Sequence, residues 1–329
     1  MKQKYKNYLG WTIKISVAIL TIHFLYSKLN NDESLRELDN IIGKLNTTPV
    51  VLVFISLLAL MALNWLCEVY KWQLMMVKVQ PISFWTAFQT VVCGISLGTI
   101  TPGRVGDFAT RIMMIPPYKR VLGVIVLSMG AFAQFVMYNV LASIAIPVFI
   151  YFYMPEHITW VYVMMFASPI YSAVLLMLYF NIGSFDKLIN KVGFLRRYKR
   201  FFTVLSTYDR PFLIRIMIIS LIRFFILVVQ YYLLINLLIP SITFTQVTLM
   251  ITLLFTIQSI VPTIDILNIG LRGVTAVYLF GFITDQHTTV VIITTIIWLT
   301  NLIIPSLIGL SLIMRLPQNR NANWLKMRD

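Results

Sequence analysis

The stretch Gly94-Ile95-Ser96-Leu97-Gly98-Thr99-Ile100-Thr101-Pro102-Gly103-Arg104-Val105-Gly106-Asp107-Phe108-Ala109-Thr110-Arg111 decides how the rest of the chain is read. An apolar run enters it, breaks at Thr101-Pro102-Gly103, and resumes at Phe108 with Arg104, Asp107 and Arg111 about the interruption. Charged side chains at membrane depth are costly, and by default they mark a functional site. A Pro-Gly pair at that depth interrupts a helix, which is tolerated only where the freed backbone is buried in protein or lines a cavity. Pro102, Gly103 and Gly106 are therefore read as a structural break, and Arg104, Asp107 and Arg111 as candidate substrate-binding residues.

The flanking sequence places this break inside a membrane. The 329 residues are 59% hydrophobic and 12% charged, with a mean hydropathy of +0.82. A soluble domain of that composition would expose a large apolar surface, and several runs exceed the ~20 apolar residues a spanning helix needs. The expected fold class is all-α: a polytopic membrane helix bundle forming one integral membrane domain over 1–329. Six full spans are expected, near 9–27, 49–70, 121–153, 158–180, 212–239 and 288–314, with two broken segments at 84–115 and 244–281. Lys71-Trp72 reads as an interfacial anchor closing the second span, and Pro147 as a kink in the third. The first run follows Lys2, Lys4 and Lys6 but carries Lys14 and lacks a small-residue cleavage site, so a retained span is expected rather than a cleaved signal.

A formal charge of +15 invites a nucleic-acid partner, but the bases lie mostly in short loops between apolar runs, where they set orientation. With a cytoplasmic N-terminus, and each broken segment returning to the side it left, 18 bases fall on the cytoplasmic side and three opposite. Both termini are then cytoplasmic. The loop 181–210 holds seven Lys and Arg against Asp186 and Asp209. Its interleaved apolar residues fit an amphipathic helix on an anionic leaflet as well as a purely topogenic loop. Cys67 and Cys93 sit in apolar runs and three His are scattered, so neither a disulfide framework nor a metal site is expected.

The two broken segments resemble one another. Phe84 stands 18 residues before Pro102, and Phe244 stands 18 before Pro262. Each has a long apolar arm, a Pro break and a shorter arm opened by charge, with Arg272 in the second. By the charge count the first enters from the cytoplasm and the second from outside, an inverted-topology pair of re-entrant broken helices of the kind that marks transporter sites. Pro262 and Gly270 are the matching structural break, and Asp265 and Arg272 the matching candidate ligands.

Thr101 to Asp107 resembles the N-x-x-x-P-[GS]-R-x-G-[ED] signature of the lysylphosphatidylglycerol synthase transmembrane-region family, whose members are called flippase-like. Ser220 to Arg223 through Gln230-Tyr231-Tyr232 looks like a later span of that family, and Pro262 to Gly273 resembles its second break. The resemblance implies a domain that moves lipid across the cytoplasmic membrane of a bacterium. In the bifunctional synthases a soluble aminoacyl-transferase domain makes the lysyl lipid; here only Arg315 to Asp329 follow the last span, so transfer by this chain alone is not expected.

Arg104 offers a planar five-donor fork suited to phosphate or carboxylate, and the backbone N–H groups opening a half-helix add to an anion site. Asp107 can orient Arg104 or Arg111, and Asp107 and Asp265 are taken as the acids placed for proton coupling. Arg223 and Gln230, seven apart on one helix face, are candidates for lining the path, with Gln134 to meet them. The alternative is structural: Arg104–Asp107 and Asp265–Arg272 pairs that pin the hairpins, and interhelical hydrogen bonds for the rest. No P-loop or other nucleotide motif is present, so no cofactor is expected. The expected function is movement of an anionic phospholipid or a lipid-linked phosphate or sugar carrier. The alternatives are a membrane-embedded lipid transferase and a non-catalytic partner of a separate lipid-modifying enzyme.

Overall fold

The computed structural model describes residues 43, 47–101, 104–181, 208–260 and 268–315. The expected first span, most of the polar loop after it, the body of the basic loop, Pro102, Gly103, Pro262, Asp265 and the tail lie outside the described residues. Every described secondary-structure element is helical. Five stretches are long and apolar enough to cross a membrane: Thr47–Met76, Pro117–Tyr153, Pro155–Phe180, Arg210–Leu238 and His287–Met314. The chain is a multi-pass helical membrane bundle.

Helix α1, Thr47–Met76, runs for 30 residues, roughly 45 Å at 1.5 Å per residue and longer than the ~30 Å hydrocarbon core. It continues six residues past the expected end of the span at Tyr70, and this extension overturns one expectation. Lys71 and Trp72 are not an interfacial anchor; both are buried, at 2% and 1% exposure.

The first broken segment is two helices, α2 (Phe84–Ile100) and α3 (Val105–Met113). Ser83 caps α2 by accepting the Thr86 N–H at 3.2 Å. Thr101 closes the gap between the arms: its hydroxyl accepts the Gly106 N–H at 2.7 Å and donates to the Leu97 carbonyl at 2.9 Å. Glycine sets the closeness of the arms. A Cβ on Gly98 would stand 3.0 Å from the Asp107 Cβ, and one on Gly106 would run into the Leu97 carbonyl. Without a hydrophobic drive between helices in lipid, such small-residue contacts are how membrane helices pack.

Helix α4 (Arg120–Tyr153) continues unbroken past Pro147, and α5 (Ile158–Phe180) packs along it. Before α6 (Arg210–Leu238), Tyr208 latches the chain to the end of α1 by donating to the Met75 carbonyl at 2.9 Å. Burial pushes this phenol up to about 12, so it keeps its proton across the ordinary pH range. The second broken segment is α7 (Phe244–Ile260) and α8 (Asn268–Phe280). The last span is not one regular helix: α9 (His287–Trp298) passes through a π-helical turn, Leu299–Ile303, into α10 (Ile304–Arg315).

Two apolar cores result. One gathers α1, α2, the first half of α4 and the start of α6 around Trp72, Met75, Ile95 and Met129. The other gathers the second half of α4, α6, α7, α8 and α9 around Phe224, Tyr231, Leu254 and Phe280. The handover falls between Val136 and Met137 on α4, and between Ile216 and Phe224 on α6. A layer of charge lies at that level.

Candidate functional site

The layer is built first from α1. Asn64, Glu68 and Lys71 recur at spacings of four and three, one face of a helix, with Trp65 and Trp72 one residue on from the first and third. This face holds the carboxylate that organises the site. Glu68 Oε1 accepts from Arg111 Nη1 at 2.9 Å, while Oε2 accepts from Lys71 Nζ at 3.0 Å and from Arg223 Nη1. Three cations from three helices share one carboxylate.

Helix α3 contributes Asp107 and Arg111, four apart. Arg111 Nε and Nη2 donate to the two oxygens of Asp107 at 2.7 and 3.2 Å, a side-on bidentate pair, and its guanidinium lies 5.7 Å from the Trp72 ring. All three Arg111 nitrogens thus reach a carboxylate, at 2% residue exposure. Asp107 orients Arg111, one of the two roles the sequence left open. Gly94 is part of this fit, since a Cβ there would collide with Asp107 Oδ1.

From α6, Arg223 Nε donates to Asn64 Oδ1 at 2.9 Å, and its guanidinium lies 5.7 Å from the Trp65 ring. On α4, Gln134 faces it: Oε1 is 3.5 Å from Arg223 Nη1, and Nε2 donates to the Tyr138 hydroxyl at 2.8 Å. Arg104 stands at the start of α3 with φ 57° and ψ 28°, the one non-glycine among the described residues in the left-handed region. That conformation costs an ordinary residue roughly 1–2 kcal/mol, and it belongs to the turn that follows the break.

These groups enclose a cavity of about 170 Å³, lined by Glu68, Lys71, Arg104, Asp107, Arg111, Gln134 and Arg223, with apolar walls from Trp65, Met75, Phe108 and Leu127. The volume admits several waters or one tetrahedral anion. Four cations face two carboxylates there.

Of the residues expected from sequence, the structure brings Arg104, Asp107, Arg111, Gln134 and Arg223 to this one cavity. Arg272, on α8, is near enough to act electrostatically on the Tyr138 and Tyr231 phenols, and Tyr138 also feels Arg223 and Arg104. Among the described residues the buried Arg272 Nε has no hydrogen-bond partner, and neither do the buried amide atoms of Gln258 on α7. Gln230 is placed elsewhere. Fully buried two turns along α6 from Arg223, it donates to the Leu57 carbonyl at 3.1 Å and accepts from Asn301 at 2.8 Å. Gly106 and Gly270 sit in the first turns of α3 and α8, and Asp265 lies outside the described residues.

Sequence reasoning missed Asn64, Glu68 and Lys71. The signal was their spacing inside an apolar run, hidden because Lys71 was taken for the span's end. Asp107 is consequently not the only acid of the described cavity wall; Glu68 is a second, and the one with the most cationic partners among the described residues.

No curated protein and no solved structure matches the chain. Residues 11–309 match the family described as the lysylphosphatidylglycerol synthase TM region, which covers every element of the bundle from α1 into α10; the chain belongs to that family of membrane proteins of lipid metabolism or transport.

Proposed function

We propose that this chain moves an anionic amphiphile, an anionic phospholipid or a lipid-linked phosphate or sugar carrier, across the cytoplasmic membrane. Its anionic group sits in the cavity between α1, α3, α4 and α6. One observation carries the reading: Lys71, Arg111 and Arg223 face the two carboxylates of Glu68 and Asp107, so the wall carries a surplus cation even before Arg104 is counted. Surplus positive charge in a low-dielectric interior is costly, and an incoming phosphate offsets it. Guanidinium groups suit that ligand because their fixed forks match phosphate oxygens. The two hairpins, α2–α3 and α7–α8, act as re-entrant segments of opposite orientation on either side of the site, and both chain termini lie in the cytoplasm. The family supports this reading only at the level of lipid metabolism or transport.

The test is lipid movement in proteoliposomes carrying a fluorescent anionic phospholipid, a zwitterionic one or a prenyl phosphate. Arg272→Gln is the informative variant, because Arg272 takes no part in the Glu68–Arg111–Arg223 and Asp107–Arg111 ion pairs and its replacement leaves them in place. The expected result is a folded protein that exposes anionic lipid several-fold more slowly, with Arg272→Lys partly restored. Wild-type protein that moves no lipid but forms a covalent lipid product would overturn the proposal in favour of a transferase.

A further inference from the structure

A second cavity lies between α4, α6 and α7, about 540 Å³ in volume and lined by Ile144, Val148, Phe224, Phe225, Thr248 and Leu249 among others. None of the described residues that line it is charged. Two of its threonines are less polar than they look: Thr248 Oγ donates to the Phe244 carbonyl at 2.8 Å and Thr252 Oγ to the Thr248 carbonyl at 2.7 Å. These two hydroxyls are spent on their own helix, which leaves their methyls for the cavity. The mouth opens sideways, where Ile144 and Phe152 are 63% and 67% exposed on helices that cross the membrane.

What separates this groove from an ordinary dent on a lipid-facing surface is its inner end. Phe224 lines the groove and its chain neighbour Arg223 lines the charged cavity. Tyr138 touches a residue of each. Its ring packs edge-on against Phe224 at 6.0 Å and stacks on Phe255 at 5.9 Å, while its hydroxyl accepts from Gln134, a residue of the charged cavity. One tyrosine therefore faces apolar rings with its body and the charged site with its tip, the division of labour that suits a boundary between wet and dry.

We propose that the groove holds one hydrocarbon chain of the lipid whose anionic group occupies the charged cavity, with Tyr138 at the junction between head and chain. The inference rests on the function proposed above and adds a second half to its site. Charge complementarity at the inner end selects the occupant: a chain reaching past Tyr138 carries whatever it is attached to against Arg223 and Arg104 of the charged cavity, and only an anion is stable there. The groove follows α4 outward from Leu141, one turn past Tyr138, to Tyr153, roughly 18 Å of helix. It ends where Gln246 accepts from Thr243 N–H at 2.9 Å and lies 3.5 Å from the Tyr153 hydroxyl. The chain enters and leaves laterally, without crossing a polar surface.

Photolabelling of the full chain in nanodiscs tests this, with phosphatidylglycerol or phosphatidylcholine bearing a diazirine in one acyl chain. The expected result is insertion into the Ile144–Phe152 and Thr248–Thr252 segments that is several-fold stronger for the anionic lipid. Arg272→Gln, which leaves the groove intact, should reduce that labelling toward the zwitterionic level. Thr248→Trp, which fills the groove, should abolish it. Equal labelling by both lipids, insensitive to Arg272→Gln, would mean ordinary boundary lipid and would overturn the groove assignment while leaving the transport assay to stand or fall by itself. Charge-selective labelling in a protein that moves no lipid would keep the paired site and remove the transport function.

Discussion

At the scale of single residues the site depends on Glu68. Its two oxygens take hydrogen bonds from Lys71, Arg111 and Arg223, and its residue exposure is 7%. Glu68→Gln keeps the shape and removes the charge, leaving Asp107 as the only carboxylate lining the described cavity wall. Removing one partner of a buried ionic network typically costs about 3–5 kcal/mol, because the remaining charges stay buried. We predict a loss of that order for Glu68→Gln, read as a lowered unfolding midpoint in detergent, with partial recovery when Lys71→Met removes one of the three cations. A change within ~0.5 kcal/mol would mean the cations are compensated elsewhere. The sequence made Arg104, Asp107 and Arg111 legible because they interrupt an apolar run beside Pro102. Glu68 was not legible in the same way. It lies in a run whose hydropathy survives three polar residues, and only the 64–68–71 spacing, read as a helix face, would have found it.

At the scale of elements, the first broken segment was readable as an interruption but its partner was not. Pro102 and Gly103 announce the gap between α2 and α3. That α10 is the helix laid against α2 depends on contacts between residues more than two hundred positions apart. Ser96 Oγ donates to the Ser306 carbonyl at 2.6 Å, the hydroxyls of Thr99 and Ser306 lie 2.8 Å apart, and Cys93 Sγ approaches the Gly309 carbonyl at 3.8 Å. Gly309 permits this approach, since a Cβ there would enter the Val92 carbonyl. Small-to-large changes at such a contact typically cost about 1–3 kcal/mol. Gly309→Ala is predicted to destabilise the protein by that amount, whereas Leu310→Ala, on an exposed position one residue on, should change little. Equal midpoints for the two variants in detergent would show that α2 and α10 do not pack so closely. The π turn was also missed, although Pro305 marks it. Proline cannot donate to the carbonyl four residues back, at Asn301, and the Trp65 indole donates to that carbonyl instead, at 3.0 Å.

At the scale of the whole molecule, that turn joins the two halves of the last span to different parts of the bundle. Before it, α9 packs on α8 of the second hairpin; after it, α10 packs on α2 of the first. The turn itself is pinned by Asn301, which donates to Gln230 of α6 and, through its carbonyl, accepts from Trp65 of α1. π-helical insertions inside α-helices recur at functional sites. If the hairpins exchange access to the cavity during transport, α9 and α10 move with them and the turn is where they pivot. Two cross-links distinguish a pivot from a rigid splice, each made between introduced cysteines with a short thiol-reactive spacer in a background lacking Cys67 and Cys93. Joining Thr99→Cys to Ser306→Cys ties α10 to α2, which already move together, and lipid movement in proteoliposomes should persist. Joining Gln230→Cys to Asn301→Cys ties the turn to α6, and movement should stop, returning when a cleavable spacer is reduced. Equal activity in the two locked proteins would assign the π turn a packing role and place the moving joint of the bundle elsewhere.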